Sequence, residues 1–90
     1  RQSLDHSNAY LYYNRANIYA LQKNYSKAIA DYDKAIDLDP RLAEAYYNRG
    51  LAYIYSKKTE QGIKDLSKAG ELGLVDAYSA IKKYRPKAGK

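Results

Sequence analysis

The chain has 90 residues, of which 46% are hydrophobic and 29% charged, with a formal net charge of +6. This composition predicts one small globular domain and argues against a disordered chain, and no apolar run reaches the roughly 20 residues of a membrane-spanning helix. There is no cysteine and one histidine. A disulfide scaffold and a thiolate metal site are therefore excluded, and we expect no metal or other cofactor.

Tyrosine supplies every aromatic ring, with 12 tyrosines and no phenylalanine or tryptophan. A core of this size cannot bury so many hydroxyl-bearing rings, so some are expected on a surface or in a groove. The positive charge is concentrated at the C-terminus, because five of the 16 basic residues lie in the last nine positions. Residues 1–81 carry 11 basic and 10 acidic groups and are nearly neutral.

An internal repeat organises the chain. With a shift of 34 residues, positions 4–38 match positions 38–72 in 14 of 35 pairs, and the tetrapeptide YYNR recurs at 12–15 and 46–49. A period of this length is typical of stacked helical hairpins. The predicted segments are a remnant of a preceding repeat or a linker (1–7), a first unit (8–40), a second unit (41–73), a capping helix (74–84) and a basic tail (85–90).

The first unit is predicted to be two helices. Four residues of its first half share one helical face. They are Tyr12, Arg15, Ala16 and Tyr19. We expect Asn24 to adopt the left-handed turn that ends this helix and Ser26 to cap the next one. Pro40 ends the second helix, because the residue before a proline leaves the helical region.

The second unit repeats this pattern. Its helices are predicted near 42–56 and 59–72, with Thr59 as the cap between them. A shortened third copy follows, and we interpret 74–84 as a single helix that covers the open apolar end of the stack. Its covering residues are predicted to be Ala77, Tyr78, Ile81 and Tyr84.

The combined pattern resembles the tetratricopeptide repeat family. The first unit reads Tyr-x2-Arg-Ala-x2-Tyr from Tyr12, and the second reads Tyr-x2-Arg-Gly-x2-Tyr from Tyr46. The resemblance implies an all-α helical-repeat superhelix of two helix–turn–helix units plus the capping helix. Small residues are expected where the paired helices approach closely. These are Ala16 and Ala28 in the first unit and Gly50 and Gly62 in the second.

Arginine stands where the family usually has leucine, at Arg15 and Arg49. A charge on a packing face is costly unless it is paired. We predict that one of these arginines pairs with Asp31, which has Asp65 as its counterpart in the second unit. The alternative is that the arginines bind a phosphate or carboxylate ligand.

The first helix of each unit lines the concave side of such a superhelix. The face opposite the packing residues is therefore the predicted binding surface. It carries Tyr10, Tyr13, Asn14, Asn17, Leu21, Glu44, Tyr47, Asn48, Leu51 and Tyr55. Tyrosine rings can bury ligand side chains, and asparagine amides can hydrogen-bond an extended backbone.

Some family members clamp a C-terminal carboxylate on this face with lysine and asparagine. Asn17 and Asn48 resemble two of the clamp asparagines, but Tyr13, Asp76 and Ala80 stand at its basic positions. This departure argues against capture of a chaperone tail. It leaves a neutral surface of rings and amides as the predicted site.

We predict a non-catalytic interaction scaffold that binds a protein or peptide in the concave groove, since no nucleophile–base set can be assembled. One alternative is a homo-oligomer formed through the exposed ends of the stack. Another is binding of RNA or single-stranded nucleic acid through tyrosine stacking and the basic tail.

Overall fold

The structure, a computed structural model, describes residues 6–85, which form five α-helices and no strand. The helices are α1 (His6–Leu21), α2 (Tyr25–Leu38), α3 (Ala43–Tyr55), α4 (Thr59–Glu71) and α5 (Asp76–Tyr84). The prediction of an all-α chain of five helices is confirmed. Most of the predicted N-terminal remnant (1–7) and of the basic tail (85–90) lies outside the described residues.

Each helix packs against the next one in the chain. α1 pairs with α2 and α3 pairs with α4, and these two hairpins meet where α2 packs against α3. α5 lies against α4, so it covers the open end of the second hairpin. It begins two residues after the predicted position 74, because Gly73 and Leu74 form the turn that closes α4.

Three of the helices end in the same hydrogen-bonded turn. After α1, the Asn24 amide donates to the Tyr19 carbonyl at 2.9 Å and the Lys23 amide donates to the Ala20 carbonyl at 2.9 Å. This pair of bonds defines a Schellman motif, whose penultimate residue is left-handed. That residue is Lys23 (φ 64°) rather than the predicted Asn24, and its counterparts are Lys57 (φ 71°) and Gly73 (φ 112°).

The predicted helix caps are wrong by one or two residues. Asn24 caps α2, and its Oδ1 accepts a hydrogen bond from the Lys27 amide at 3.5 Å, whereas Ser26 lies inside the helix. Thr59 is the first residue of α4, and Lys58 occupies the cap position without a side-chain hydrogen bond. The Schellman turns are the reason, because they leave only three residues between the paired helices.

The left-handed lysines give a stability prediction. A non-glycine residue in this conformation costs about 1 kcal/mol, and glycine removes most of that cost. Lys57→Gly should therefore raise the free energy of unfolding by about 0.5 kcal/mol, as measured by urea denaturation. Lys64→Gly, inside α4, is the matched control and should lower the free energy of unfolding, since glycine weakens a helix interior. An equal gain for both variants would contradict the role of the left-handed turn.

The core is built mainly from alanine. One buried cluster joins the first hairpin to α3, and a second joins α4 to α5. The fully buried large side chains are Tyr32 and Leu66. Because alanine is short, the helices approach closely, and half-buried tyrosines fill the space around these contacts.

The predicted close approach of α3 and α4 is confirmed. A Cβ atom added at Gly62 would lie 2.5 Å from the Gly50 carbonyl oxygen and 2.5 Å from Cγ1 of Ile54. A Cβ atom added at Gly50 would lie 2.8 Å from the Gly62 carbonyl oxygen. The two glycines therefore bring the α3 and α4 backbones into direct contact.

Candidate functional site

The stacked hairpins leave two adjoining grooves on the side lined by α1, α3 and α5. The first has a volume of about 250 Å³ and contains five of the ten predicted binding residues. They are Asn17, Leu21, Asn48, Leu51 and Tyr55. The second groove, of about 440 Å³, lies between α3 and α5 and is lined by Tyr47 together with Leu51 and Tyr55. Leu51 and Tyr55 therefore form the wall between the two grooves.

The other four predicted residues lie outside these grooves. Tyr13 is half-buried and its ring is 6.0 Å from that of Tyr32. Tyr10 meets Tyr13 edge to face, with 5.9 Å between the ring centroids. Asn14 and Glu44 are exposed. The predicted residues nearest the N-terminal ends of α1 and α3 thus lie outside the grooves. The six that follow them along the two helices line the grooves.

An amide pair occupies the centre of this surface. Asn48 donates from Nδ2 to the Tyr13 hydroxyl at 3.0 Å and to Asn17 Oδ1 at 3.1 Å. The buried hydroxyl of Tyr32 also donates to Asn17 Oδ1. Both N–H groups of Asn48 are therefore used inside the protein, whereas its Oδ1 accepts no hydrogen bond from residues 6–85. The network fixes the amide so that this acceptor is held in place.

Three tyrosine rings, those of Tyr25, Tyr55 and Tyr84, lie in a row along the grooves. Tyr25 and Tyr55 have centroids 5.8 Å apart, and Tyr55 meets Tyr84 edge to face at 6.2 Å. The hydroxyls of Tyr55 and Tyr84 are 3.2 Å apart. This hydrogen bond, together with burial, raises the pKa of Tyr55 to about 12. The same hydrogen bond lowers the pKa of Tyr84, against the raising effect of burial. Tyr55 therefore stays a neutral hydroxyl at physiological pH.

Burial also changes the pKa values of the two tyrosines beside the amide pair, Tyr13 and Tyr32. Burial raises the pKa of Tyr13, against the lowering effect of its hydrogen bonds to Asn17 and Asn48. Burial likewise raises the pKa of Tyr32. The centre of the site is thus an uncharged network of rings and amides.

The sequence analysis missed several residues of the grooves. Tyr25 at the start of α2 and Tyr32 within it line the first groove. Ser79, Lys83 and Tyr84 of α5 line the second. Spacing on the first helix of each unit could not identify them, because they come from the second helix of the first unit and from the capping helix. Tyr84 carried one signal, since it was predicted to lie on the inner side of α5.

The two arginines make internal ion pairs. Arg15 bonds Asp31 through Nε at 2.6 Å and Nη2 at 2.9 Å, which confirms the predicted pairing with Asp31. Arg49 bonds Asp65 through Nε and Nη2, both at 2.8 Å. Arg49 also donates from Nη1 to Asp33 of α2 at 2.6 Å. Each pair links the two helices of one unit, and the bond to Asp33 links the two units.

The Arg15–Asp31 pair makes stability depend on pH. Hydrogen bonding to the Arg15 guanidinium holds the pKa of Asp31 below its ordinary value. A carboxylate with a lowered pKa stabilises the fold above its unfolded pKa of about 4, and this contribution is lost as the pH falls through the folded value. Asp31→Asn should therefore reduce stability at pH 7, and its difference from the wild type should shrink as the pH falls through the lowered pKa of Asp31, as measured by chemical denaturation at several pH values.

Asp37→Asn, an exposed position on the same helix, is the control for this experiment. It should have nearly the same stability as the wild type at pH 7. Equal stability of Asp31→Asn and the wild type at pH 7 would show that the ion pair contributes nothing.

Residues 6–85 contain no group of three or more side chains placed to hold a metal ion. None of their helices is long and apolar enough to cross a membrane. The residues on the concave side are rings, amides and aliphatic side chains, with Asp76 and Lys83 at the second groove. Hydroxyls, amides and apolar walls of this kind suit recognition of a polypeptide.

Stacked helical hairpins with a ring- and amide-lined concave side define the class of helical-repeat interaction modules. A family model described as "TPR repeat" matches residues 16–55, and one described as "Tetratricopeptide repeat" matches residues 43–72. The chain belongs to the tetratricopeptide repeat family.

One solved structure is similar over most of the chain. It is the first TPR of Spaghetti (RPAP3) bound to the HSP90 peptide SRMEEVD, with a TM-score of 0.86 and 31% sequence identity. The match covers 91% of this chain and 67% of that one. No curated protein matches the chain. The fold is therefore one that is known to bind a peptide in a similar protein.

Proposed function

We propose that the concave side binds an extended segment of a partner protein, without chemical change to the ligand. The observation that carries this proposal is the Asn48 amide, whose two N–H groups are held by Tyr13 and Asn17 while its Oδ1 is left to accept. An extended peptide offers a backbone N–H at every second residue on one side, which matches a single fixed acceptor. The complex of the similar TPR with a peptide supports a ligand of this kind.

The two grooves on either side of the Leu51–Tyr55 wall provide space for ligand side chains. The first is lined mostly by apolar atoms of Leu21, Tyr25 and Tyr55, so it suits an aliphatic or aromatic side chain. The second adds Asp76, Ser79 and Lys83 to the apolar wall, so it suits a polar side chain. Successive anchors of this type bury rings in pockets and supply most of the affinity of peptide complexes.

The centre of the site differs from a carboxylate clamp. Tyr13 brings no positive charge, and the donors of Asn48 are already used. Binding should therefore not require a free C-terminal carboxylate. Peptides with a C-terminal acid and a C-terminal amide are expected to bind alike, and the peptide SRMEEVD is expected to bind weakly.

The test begins with a displayed library of random peptides selected on the wild-type protein. Affinities of the selected peptides are then measured by fluorescence polarisation for two double variants. Leu21→Ser/Tyr55→Ser changes the grooves at residues that are 84% and 50% exposed. Ile18→Ser/Tyr78→Ser is the matched control, at residues that are 55% and 51% exposed outside the grooves. Because all four side chains are exposed, both variants should fold.

We expect the groove variant to lose about tenfold or more in affinity, and the control to change by less than about twofold. Asn48→Ala should weaken binding as well, since it removes the acceptor. Equal affinities for the groove variant and the control would contradict the proposal. Tight binding of a single-stranded oligonucleotide that weakens steeply with salt would favour nucleic-acid binding instead. Light scattering at several concentrations tests the alternative of a homo-oligomer.

A further inference from the structure

Two oppositely charged side chains stand at the second groove, and both belong to α5. Asp76 and Lys83 are exposed and line this groove opposite Leu51 and Tyr55 of α3. Among residues 6–85, no other charged side chain lines either groove. A ligand in the grooves therefore meets one negative and one positive charge among rings, amides and aliphatic side chains.

The geometry of α5 fixes where the two charges stand. Asp76 and Lys83 are seven residues apart, which is two helical turns, so they share one face of α5 about 10 Å apart along its axis. Ser79 lies between them and also lines the groove. The second groove therefore has a negative end at Asp76 and a positive end at Lys83.

The positive end adjoins the first groove. Tyr55 lines both grooves, its ring centroid is 5.8 Å from that of Tyr25 in the first groove, and its hydroxyl is 3.2 Å from that of Tyr84. Lys83 is the sequence neighbour of Tyr84, and its Nζ lies 5.2 Å from the centroid of that ring. From the apolar first groove, a ligand thus meets Lys83 first and Asp76 two turns further along α5.

Both charges are available to a ligand. Neither Asp76 nor Lys83 takes part in an ion pair among residues 6–85. An exposed charge adds modest affinity when it meets an opposite charge and repels a like one, so its main effect is on the choice between ligands. Charges of these signs also stabilise the two ends of a helix, and a test must therefore separate ligand choice from stability.

We propose that Asp76 and Lys83 select a ligand segment in which an acidic residue stands between an apolar anchor and a basic residue. The apolar side chain fills the first groove, the acidic side chain pairs with Lys83, and the basic side chain reaches Asp76. This inference rests on the proposed peptide-binding function and adds the charge pattern of the partner. The order is the same for either direction of the ligand chain, because it follows the positions of the two charges on α5.

The test repeats the peptide selection on a protein in which the two charges are exchanged, Asp76→Lys/Lys83→Glu. The matched control is Lys64→Glu/Glu71→Lys, an exchange at the same spacing between exposed residues of α4 that line neither groove. Both exchanges keep the formal net charge at +6. A second groove variant, Asp76→Asn/Lys83→Gln, removes the charges without reversing them, and circular dichroism measures the stability of every variant.

We expect the wild type and the control to select peptides with the acidic residue in the middle, and the exchanged protein to select peptides with the basic residue there. Peptides selected on the wild type should bind the exchanged protein about tenfold more weakly and the control within about twofold. The neutral variant should bind peptides of both orders alike. The tenfold difference should shrink as the salt concentration rises, because both charges are exposed.

The outcomes separate this inference from the proposed function. Peptides that lose affinity for Leu21→Ser/Tyr55→Ser but bind the wild-type and exchanged proteins equally would overturn the inference alone. An equal loss of affinity in the α4 control would also overturn it, since the effect would not come from the groove. Peptides that bind Leu21→Ser/Tyr55→Ser as tightly as the wild type would contradict the proposed function, and this inference with it.

Discussion

Gly62→Ala should destabilise the protein although alanine is the better helix former. The new methyl group would lie 2.5 Å from the backbone carbonyl oxygen of Gly50, which can move only if α3 and α4 separate. Overpacking of this kind costs about 1–3 kcal/mol, against a gain of about 1 kcal/mol in helix propensity. Because the obstacle is backbone rather than a flexible side chain, we expect the cost to lie near the upper end of this range, about 3 kcal/mol, and the net loss of stability to be about 2 kcal/mol.

Thermal unfolding followed by circular dichroism measures this effect. A loss of this size should lower the Tm by about 10 °C in a domain of this length. Gly70→Ala is the matched control on the same helix. The atoms nearest to its methyl group would be those of the Tyr78 ring, a side chain that is 51% exposed and can rotate away. The control should be neutral or slightly stabilising, and a Tm as high for Gly62→Ala would show that α3 and α4 are not in direct contact.

Asp65→Asn should have the largest effect of any single charge removal. Arg49 is only 18% exposed, and its guanidinium lies 5.5 Å and 5.9 Å from the ring centroids of Tyr46 and Tyr53. Removing the Asp65 charge leaves this cation packed between rings with only Asp33 as a charged partner. Breaking a buried ion pair at one partner costs about 3 kcal/mol.

Chemical denaturation at pH 7 tests this prediction with Asp33→Asn as the control. Asp33 bonds the same arginine, but its side chain is 52% exposed, so its loss should cost less than about 1 kcal/mol. Asp31→Asn should lie between the two, because Arg15 is the more exposed arginine. If Asp33→Asn proves as destabilising as Asp65→Asn, the link between the two units contributes as much as the link within the second unit, which would contradict this prediction.

The repeat made the fold predictable from the sequence. Its period set the number of helices, and the recurrence of Arg15 and Arg49 on a packing face indicated that one of them pairs with Asp31. The sequence left open which arginine this is, and the structure shows Arg15 on Asp31 and Arg49 on Asp65. The Arg49–Asp33 bond could not be found in this way, because it joins different units and depends on how the hairpins stack. The helix caps were misplaced for a local reason, since Lys23 and Lys57 accept the left-handed turn that favours asparagine or glycine.

The concave site was predictable only in part. Helical spacing on α1 and α3 identified the amides of Asn17 and Asn48 and the wall of Leu51 and Tyr55. It could not show that the donors of Asn48 are used by Tyr13 and Asn17, because those contacts cross between helices. It also missed Tyr25 and the polar residues of α5, since the curvature of the stack brings other elements to the edges of the grooves.

The most direct test of the account is an NMR titration of isotope-labelled protein with a peptide selected for the concave side. We expect intermolecular contacts and chemical-shift changes at the Asn48 side-chain amide, Leu51, Tyr55 and Ser79, with little change at Leu11, Arg15 and Ile18. Changes confined to Leu11, Arg15 and Ile18, or an unaffected Asn48 amide in a saturated complex, would contradict the central claim that the fixed amide between the two grooves recognises the ligand.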